Sequence, residues 1–532
     1  MISVSYVKPN FHLIFPFDSD DLKIVQLLPV RKWDKRQKAW IVPELAISTI
    51  ENLPKSTWTT EAIHRGKQVK NGILKLVDSK FERNGYSNGY LRPYQQIGVN
   101  FLTNAKKALL ADDMGLGKSI QAIQTLVNLD TKSNLILCPA TLKLNWVNEF
   151  KKHFNIEPVV ISGNQSKRRD LWGQNNKYVI ANYDILSRDW QMMPKEWDAI
   201  VADEIVFIKN HSSMRTKLVK KLSATYKIGL SGIPMENNLM EFHSIMEWIR
   251  PEVITSYNRF KYRYIEFGWD GKISKYKNLE ELHLLTSPYI LRRKKEDVLQ
   301  ELPPKIYTDF PLELDGKGKI AYEAISNEFL QWLKDQTGKN WHSGALEKLI
   351  RLRQFVEFPE IVGFNNLSSI KLEWLKDVYS NLDKIVIFTY FRDSIRLLQE
   401  EFNTEFVLTG DTPQSDRIPM VDSFNRADKG VFLLTDAGKF GVNIIGASNV
   451  VQFGYFFNPA VMLQREDRLH RIGQVNVVNV FYPYIIDTID EGIRKIFERR
   501  REESNEFLDG SEKMSVSRLS KKEFSELVYG GK

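Results

Sequence analysis

Short apolar runs, rich in β-branched and aromatic residues, alternate with amphipathic stretches along this chain and fall into two groups. The first group comprises NLILC, PVVIS, KYVIANY, WDAIVA and YKIGLSG, and the second comprises KIVIFTY, TEFVLTG, GVFLLT, NVVQFG and VNVFYPY. A strand can rejoin its own sheet in parallel only through a long crossover, usually a helix. The alternation therefore predicts an α/β protein with two parallel-sheet domains.

Length and composition agree with a chain of several folded domains. A chain of 532 residues is too long for one hydrophobic core, and a hydrophobic content of 42% is too high for disorder. We expect a small N-terminal module, a first lobe, a helical insertion or linker containing the stiff ELPPK connector, a second lobe and a C-terminal tail. Their expected boundaries are 1–60, 75–250, 251–346, 347–500 and 501–532.

Charge and cysteine content restrict the partners and the compartment. The chain has 75 Lys and Arg against 66 Asp and Glu, a net charge of +9, which favours an acidic partner such as nucleic acid. A single cysteine, Cys138, excludes an intramolecular disulfide framework and a cysteine-rich zinc site. No apolar stretch is long enough to span a bilayer. We expect a monomeric, soluble protein of the cytoplasm, or of the nucleus in a eukaryote, with no membrane partner.

The stretch KKALLADDMGLGKSIQAIQTL is typical of a phosphate-binding loop. A short apolar strand leads into a glycine-containing turn and then into an amphipathic helix, whose N-terminus adds positive charge. Asp112 stands where the usual pattern has its opening glycine. Lys118 is expected to reach the β- and γ-phosphates of ATP and Ser119 to ligate Mg²⁺. The predicted ATP-binding residues are Asp113, Met114, Gly115, Leu116, Gly117, Lys118 and Ser119.

Two adjacent carboxylates, Asp203 and Glu204, interrupt the apolar stretch WDAIVADEIVFIKN at the end of its predicted strand. In a phosphate-loop enzyme the first such acid holds Mg²⁺, and the second orients or deprotonates the attacking water. We therefore expect Asp203 to be a metal ligand and Glu204 to be catalytic.

The stretch QREDRLHRIGQ, residues 464–474, predicts a helix with Arg468 and Arg471 one turn apart. Such a pair of guanidinium groups is suited to stabilise the charge of a phosphoryl-transfer transition state from another domain. We expect both arginines to be catalytic.

Together, these stretches resemble the Swi/Snf family of superfamily 2 helicase-like ATPases. The residues that carry the resemblance are LRPYQ, DDMGLGKS, CPATLKLNW, DEIVFIKN, LSGIPMENN, LRRKKEDVLQELPPK, LTGDTPQSDR, DAGKFGVN and QREDRLHRIGQ, in the order usual for the family. The resemblance implies two RecA-like lobes that bind ATP between them and duplex DNA across them. It also implies that Gln95 reads adenine and that Arg468 and Arg471 are arginine fingers.

The first residues carry a second resemblance, to the HARP module of annealing helicases, through FPFDSDDLKIVQLLPVRKWDKRQKAWIVP. Cationic side chains here interleave with tryptophans, which combines phosphate contacts with stacking surfaces. The alternative is a small cap whose tryptophans belong to its core. The predicted DNA-binding residues are Arg31, Lys32, Trp33 and Lys38 of this stretch, together with Lys439 of DAGKFGVN.

Three departures from the family pattern stand out. Ile205 and Val206 replace the usual Ala-His after the paired acids, Ile233 replaces the Thr of SGTP, and Lys439 replaces a glycine. None of them removes a predicted phosphate, metal or water-activating group.

The sequence as a whole predicts an ATP-dependent duplex-DNA translocase that remodels forked or branched DNA. One alternative is a DNA-binding ATP switch or scaffold with little turnover, and DNA-stimulated phosphate release would distinguish it. Another is an RNA-directed helicase, which a comparison of duplex DNA with RNA as activators would identify.

Overall fold

The computed structural model describes residues 1–82, 90–235, 238–268, 273–335, 342–436, 442–456, 459–508 and 521–530. The chain divides into two compact units. The first includes Met1–Lys294, and the second includes Lys295–Asn505.

The first unit begins with a five-stranded sheet in the order β3-β4-β2-β1-β5. Its neighbouring strands are antiparallel except for β1 and β5, which are parallel. Alternate residues of β1 are buried, so one face of the sheet forms a small core. The elements are β1 (Ile2–Val7), β2 (Asn10–Ile14), α1 (Ser19–Leu27), β3 (Lys32–Asp34), β4 (Ala39–Pro43), a 3₁₀ helix (Glu44–Thr49) and β5 (Ser56–Trp58).

A long helix, α2 (Thr60–Asp78), connects this module to the rest of the first unit. The hydroxyl of Thr59 accepts a hydrogen bond from the amide of Ala62 and caps its N-terminus. Ala62 and Val69 belong to the core of the N-terminal sheet, whereas Leu76 belongs to the core of the larger sheet. One helix therefore contributes to both cores.

The larger sheet of the first unit has seven strands in the order β14-β6-β11-β10-β7-β9-β8, with every neighbouring pair parallel. β7 is buried along its whole length and β9 along nearly all of it, because helices cover both faces. A two-stranded sheet, β12-β13, is separate. The strands are β6 (Lys107–Leu110), β7 (Asn134–Cys138), β8 (Val159–Val160), β9 (Tyr178–Asn182), β10 (Glu196–Asp203), β11 (Ser223–Leu230), β12 (Ile265–Phe267), β13 (Ile273–Tyr276) and β14 (Ile290–Leu291).

The helices of this part of the unit mostly follow the strands in alternation. The α-helices are α3 (Pro93–Ala105), α4 (Lys118–Asn128), α5 (Lys143–Phe154), α6 (Gln165–Gly173), α7 (Ile185–Asp189), α8 (Met214–Lys221), α9 (Leu239–Ile249), α10 (Tyr257–Tyr264) and α11 (Leu279–Thr286). The 3₁₀ helices are Ala140–Leu142, Ile205–Ile208 and Ser287–Tyr289.

The second unit is built on a six-stranded sheet in the order β15-β20-β19-β16-β18-β17, again parallel throughout. Its strands are β15 (Lys305–Leu312), β16 (Lys384–Phe388), β17 (Val407–Leu408), β18 (Gly430–Leu434), β19 (Asn449–Gln452) and β20 (Val478–Ile485). Its helices are α12 (Lys295–Val298), α13 (Gly316–Asp335), α14 (His342–Glu357), a 3₁₀ helix (Pro359–Val362), α15 (Ile370–Tyr379), α16 (Arg392–Phe402), α17 (Gln414–Arg426), α18 (Pro459–Glu466), α19 (Ile489–Leu508) and α20 (Lys521–Val528).

These two parallel sheets, with the small N-terminal α+β module, confirm the predicted fold class of two RecA-like α/β lobes. The segment 251–346, expected to be a helical insertion, also holds strands of both sheets. β14 pairs with β6 at the edge of the first sheet, and β15 pairs with β20 at the edge of the second. Among the described residues, no helix is both long enough and apolar enough to cross a bilayer.

Candidate active site

The loop between β6 and α4 has the backbone of a phosphate cradle. Gly115 and Gly117 have φ values of 85° and 71°, in the left-handed region that favours glycine. A Cβ atom on Gly117 would lie 2.4 Å from Nε2 of Gln95, so a larger residue does not fit there. The helix α4 starts at Lys118, immediately after this turn. The backbone therefore fits the phosphates of a nucleotide.

The ammonium group of Lys118 lies over this loop. It donates hydrogen bonds to the carbonyl oxygens of Asp112 at 2.8 Å and Asp113 at 3.2 Å. Phosphate oxygens carry more negative charge than these carbonyl oxygens and would compete for the same group. Ser119 follows in the first turn of α4 and is half-buried.

Asp112, which replaces the usual glycine, is fully buried beneath the loop. Its carboxylate accepts hydrogen bonds from Nε of Arg293 at 2.9 Å and from Nε2 of Gln121 at 3.1 Å. The carbonyl of Arg293 also accepts a hydrogen bond from the amide of Asp113. Sequence analysis did not identify Arg293 or Gln121. The sequence did contain a clue to such a partner. A carboxylate at the end of an apolar, buried strand requires a cationic partner.

Gln95 is buried against the phosphate loop. Its amide nitrogen donates to the carbonyl of Leu116 at 3.2 Å, and its carbonyl oxygen accepts from the amide of Arg92 at 2.9 Å. The hydroxyl of Tyr94 donates to the same Leu116 carbonyl, and burial raises the pKa of Tyr94 to about 12. The structure thus places Gln95 beside Gly117, in contact with the loop that would hold the phosphates.

Asp203 and Glu204 lie at the carboxyl end of β10. Trp146 donates its indole hydrogen to one carboxylate oxygen of Asp203 at 2.8 Å, and the amide of Glu204 donates to the other at 3.0 Å. Burial raises the pKa of Asp203, although the Trp146 hydrogen bond and the charge of Lys118 oppose this effect. Glu204 has a φ of 47°, a conformation that costs free energy and often occurs at functional sites.

The loop SGIP, residues 231–234, also adjoins the phosphate loop. The amide of Ser231 donates to the carbonyl of Leu110, and a Cβ atom on Gly232 would lie 2.9 Å from Cγ of Met114. The same Cβ would lie 3.7 Å from Nζ of Lys118. Ile233, in this loop, is half-buried.

The sheet order explains why these groups meet. β6, β11 and β10 are consecutive neighbours in the sheet and are parallel. The carboxyl ends of all three strands therefore lie side by side along one edge of the sheet, perpendicular to the edge strands. The phosphate loop follows β6, the SGIP loop follows β11, and the paired acids end β10. Ligands of open parallel sheets bind at this edge. The first unit therefore brings together the predicted phosphate, metal and water-activating residues.

In the second unit, Arg468 and Arg471 do not lie on a helix, so the predicted helical spacing is wrong. α18 ends at Glu466, and the chain continues as tight turns through residues 467–474, here called the arginine turn. Bonds that span three residues interrupt the helical pattern, since the amide of Arg468 donates to the carbonyl of Arg465, although the amide of His470 still donates to the carbonyl of Glu466. Arg468 is nearly buried, and the guanidinium group of Arg471 donates to the side chain of Asn443.

Two lysines, Lys295 buried and Lys305 half-buried, form ion pairs at the start of the arginine turn. Lys295 donates to a carboxylate oxygen of Asp467 at 2.6 Å and to the carbonyl of His470 at 2.6 Å. Lys305 forms ion pairs with Glu466 at 2.9 Å and with Asp467 at 3.0 Å. Burial alone would raise the pKa of Asp467, but the two ammonium groups outweigh it and hold that pKa well below its usual range. Sequence analysis missed both lysines as positioning groups.

The predicted DNA-binding residues of the N-terminal module differ in exposure. Lys32, Lys38 and Trp33 are exposed, with 43% of Trp33 accessible to solvent. Arg31 is half-buried and donates to the carbonyl of Leu28. Lys439 lies outside the described residues.

Comparisons with known proteins agree with this site. The model of the SNF2-related domain matches residues 94–361, and that of the helicase conserved C-terminal domain matches residues 370–473. The resemblance of the N-terminal stretch to the HARP module stays a prediction.

Two curated relatives illustrate the similarity. An uncharacterized ATP-dependent helicase of Mycoplasma pneumoniae is 32% identical over 461 residues, which cover 82% of this chain and 44% of the relative. The ISWI chromatin-remodeling complex ATPase ISW1 of Saccharomyces cerevisiae is 29% identical over 458 residues, covering 79% of this chain and 40% of the relative. The chain thus spans less than half the length of either protein.

Among solved structures, the Sulfolobus solfataricus SWI2/SNF2 ATPase core in complex with dsDNA is 29% identical, with 82% of this chain and 97% of that chain covered and a TM-score of 0.40. Because the SNF2-related domain model matches half of the sequence and the helicase C-terminal model follows it directly, this protein belongs to the SNF2-related, or Swi/Snf, family of helicase-like ATPases.

Proposed function

We propose that this protein hydrolyses ATP to translocate along duplex DNA and to remodel forked or branched DNA. The observation that carries the proposal is the edge of the first sheet, where Lys118, Asp203 and Glu204 meet at the ends of neighbouring parallel strands. A protein that only binds nucleotide needs the phosphate loop but not a second acid positioned to activate water.

The residues of this edge fit ATP and Mg²⁺. The left-handed Gly115 and Gly117 leave room for phosphates, and Lys118 would exchange its two carbonyl partners for phosphate oxygens. Ser119 and Asp203 would hold Mg²⁺, which supplies positive charge to neutralise the β- and γ-phosphates. The indole of Trp146 fixes the Asp203 carboxylate, so its orientation does not depend on the metal.

Glu204 would orient the attacking water and accept its proton. Its backbone conformation, with φ of 47°, turns the chain immediately after β10. We assign Gln95 to adenine and Arg468 and Arg471 to the arginine-finger role. The lysine pair supports the last assignment, because it holds the arginine turn in one conformation.

The DNA substrate is proposed from charge, from family membership and from the N-terminal module. The net charge of +9 favours a polyanion. Lys32, Trp33 and Lys38 are all exposed, as expected for contacts to phosphates and unpaired bases. A preference for forks over linear duplex would arise from this module.

The test is the rate of phosphate release without nucleic acid and with single-stranded, duplex and forked DNA and duplex RNA. We expect DNA to stimulate turnover, with forked DNA at least as effective as duplex. Glu204→Gln should still bind ATP but lose turnover. Near wild-type turnover in Glu204→Gln would exclude the water-activating role, and equal rates with and without DNA would favour an ATP switch.

A deletion of the N-terminal module is unsuitable for testing its role, because α2 and Leu285 connect its core to the remainder of the first unit. Substitutions that remove charge at exposed positions test the role of the module without disturbing its core. Combined Lys32→Gln and Lys38→Gln should reduce the ratio of fork to duplex affinity, whereas Lys167→Gln, exposed on α6 and outside the N-terminal module, should not. An unchanged ratio in the double variant would remove the module from fork recognition.

A further inference from the structure

Two arginines from different parts of the first unit meet where the N-terminal module packs against α10. The guanidinium group of Arg259, on α10, donates a hydrogen bond to the carbonyl of Arg31. Arg31 in turn donates to the carbonyl of Leu28, and its guanidinium carbon lies 5.7 Å from the ring centre of Trp40. Both arginines are half-buried.

This pair has no compensating carboxylate within the described part of the chain. Neither Arg31 nor Arg259 forms an ion pair there, and Nε of Arg31 is buried without a hydrogen-bond partner. The nearby Arg263 is different, because Glu281 neutralises it through Nε at 2.6 Å. Burial, with repulsion from Arg259 and Arg263, lowers the pKa of Arg31 to about 10.

The arginine pair lies within a continuous strip of aromatic and cationic side chains. At one end, the rings of Trp33 and Trp40 are 5.4 Å apart, and Trp40 contacts Arg31. At the other end, Tyr262 lies one helical turn after Arg259, with 82% of its surface exposed. The ammonium group of Lys277 is 5.6 Å from the Tyr262 ring.

We propose that this strip, formed by Trp33, Trp40, Arg31, Arg259, Tyr262 and Lys277, binds the unpaired strand of a DNA fork. The inference rests on the proposed function and assigns a part of its DNA site to α10 of the first lobe. Uncompensated guanidinium groups repel each other unless an anion joins them, and their planar donors match phosphate oxygens. Trp33 and Tyr262, exposed at the two ends, provide stacking surfaces that only unpaired bases can use.

The strip connects the N-terminal module to the lobe that carries the phosphate loop. Arg31 belongs to the N-terminal module, whereas Arg259 follows α9, which packs into the core of the ATPase lobe. α2 also joins the two cores. A strand bound along the strip would therefore be held by the same rigid unit that carries the phosphate loop.

The experiment measures the affinity of the full chain for a DNA fork and for blunt duplex, without nucleotide and at several salt concentrations. Tyr262→Ala should weaken fork binding by roughly fivefold or more, because one stacked base is lost, and should change duplex binding less. Arg259→Gln should reduce the dependence of log affinity on log salt concentration by about 0.7 to 0.9, the contribution of one phosphate. Lys167→Gln, exposed on α6 and outside the strip, serves as the matched charge control.

The outcomes separate the strip from the proposed function. If the wild-type chain binds no DNA, the proposed function fails and the strip with it; if it binds forks and Tyr262→Ala and Arg259→Gln bind them equally well, only the strip fails. Tyr262 is exposed, so Tyr262→Ala remains informative if Arg259→Gln does not fold. A third outcome would overturn the proposal: inorganic phosphate stabilises the wild type but not Arg259→Gln, and the two proteins bind forks with equal affinity. The arginines would then bind a free anion and not DNA.

Discussion

The carboxylate of Asp112 accepts a hydrogen bond from Nε of Arg293 at 2.9 Å beneath the phosphate loop. The two residues are 181 positions apart in sequence. Arg293 lies two residues after β14, the edge strand that pairs with β6. The ion pair therefore connects the end of this edge strand to the start of the phosphate loop. An acid in place of the usual glycine thus has a structural partner.

Loss of Asp112 alone should be strongly destabilising. Asp112→Ala leaves the buried guanidinium group of Arg293 without its counter-ion, which costs about 3 to 5 kcal/mol in comparable cases. The measurement is the free energy of unfolding by chemical denaturation. Glu157→Ala removes an exposed acid paired with Lys151 and should cost less than about 1 kcal/mol.

The same ion pair can be replaced rather than broken. The double variant Asp112→Leu and Arg293→Met should recover most of the stability lost in Asp112→Ala, because no charge is then left buried alone. A double variant as unstable as the single one would show that two hydrogen bonds, from Gln121 to Asp112 and from Arg293 to the carbonyl of Tyr94, support the loop more than the ion pair does.

Lys305 should affect turnover through the arginine turn. Lys305→Met removes one of the two ammonium groups that hold Glu466 and Asp467, so Arg468 and Arg471 lose their fixed positions. We expect DNA-stimulated kcat to fall at least tenfold while the KM for ATP changes little, because Lys118 and its loop belong to the first unit. Lys429→Met, which breaks an exposed pair with Asp383, is the control. An unchanged kcat would show that the arginine turn holds its conformation without Lys305.

His470 should make stability depend on pH. Burial, together with Lys295 and Lys305, lowers the pKa of His470 to about 4, while its Nε2 hydrogen bonds to the carbonyl of Pro303. The unfolded chain titrates this group near 6.5 and binds more protons between these values, so stability should fall as pH drops from about 6.5 to 4. The contribution amounts to roughly 2 to 3 kcal/mol.

The variant that tests this is His470→Gln, whose amide can still donate to Pro303. Unfolding measured at several pH values should show a smaller acid loss of stability in His470→Gln than in the wild type. His64→Gln, exposed on α2, should keep the wild-type profile. Parallel profiles for His470→Gln and the wild type would contradict the prediction.

Val206 and Ile233 should behave as a pair. Both replace polar residues usual in the family. Val206 packs against the core of the first lobe, and Ile233 lies in the loop that contacts Met114 and Lys118. We expect Val206→His and Ile233→Thr each to lower stability or DNA-stimulated turnover, because a single change leaves a polar group facing an apolar one.

The double variant decides between coupling and independent change. It should recover stability or turnover, with an interaction energy of at least about 0.5 kcal/mol in a double-mutant cycle. Strict additivity would mean that the two positions changed independently.

The sequence by itself determined the features that depend on local patterning. Apolar runs separated by amphipathic stretches predicted both parallel sheets, because a strand period and a helix period differ visibly over a few residues. The glycine turn before Lys118 and the acids that end β10 were equally readable, since each group of functional residues is contiguous in the chain. Their meeting at one sheet edge follows from parallel strands.

Only the tertiary structure decided the features that depend on distant partners. The sequence predicted Arg468 and Arg471 on a helix, but α18 ends at Glu466, where Lys295 and Lys305 pair with acids of the turn, and Lys295 is 172 residues from Asp467. Arg31 was predicted to bind DNA, and the structure half-buries it beside Arg259 of α10. A charged side chain has no intrinsic preference strong enough to fix its surroundings, so burial and the partner that compensates it are determined by the packed fold.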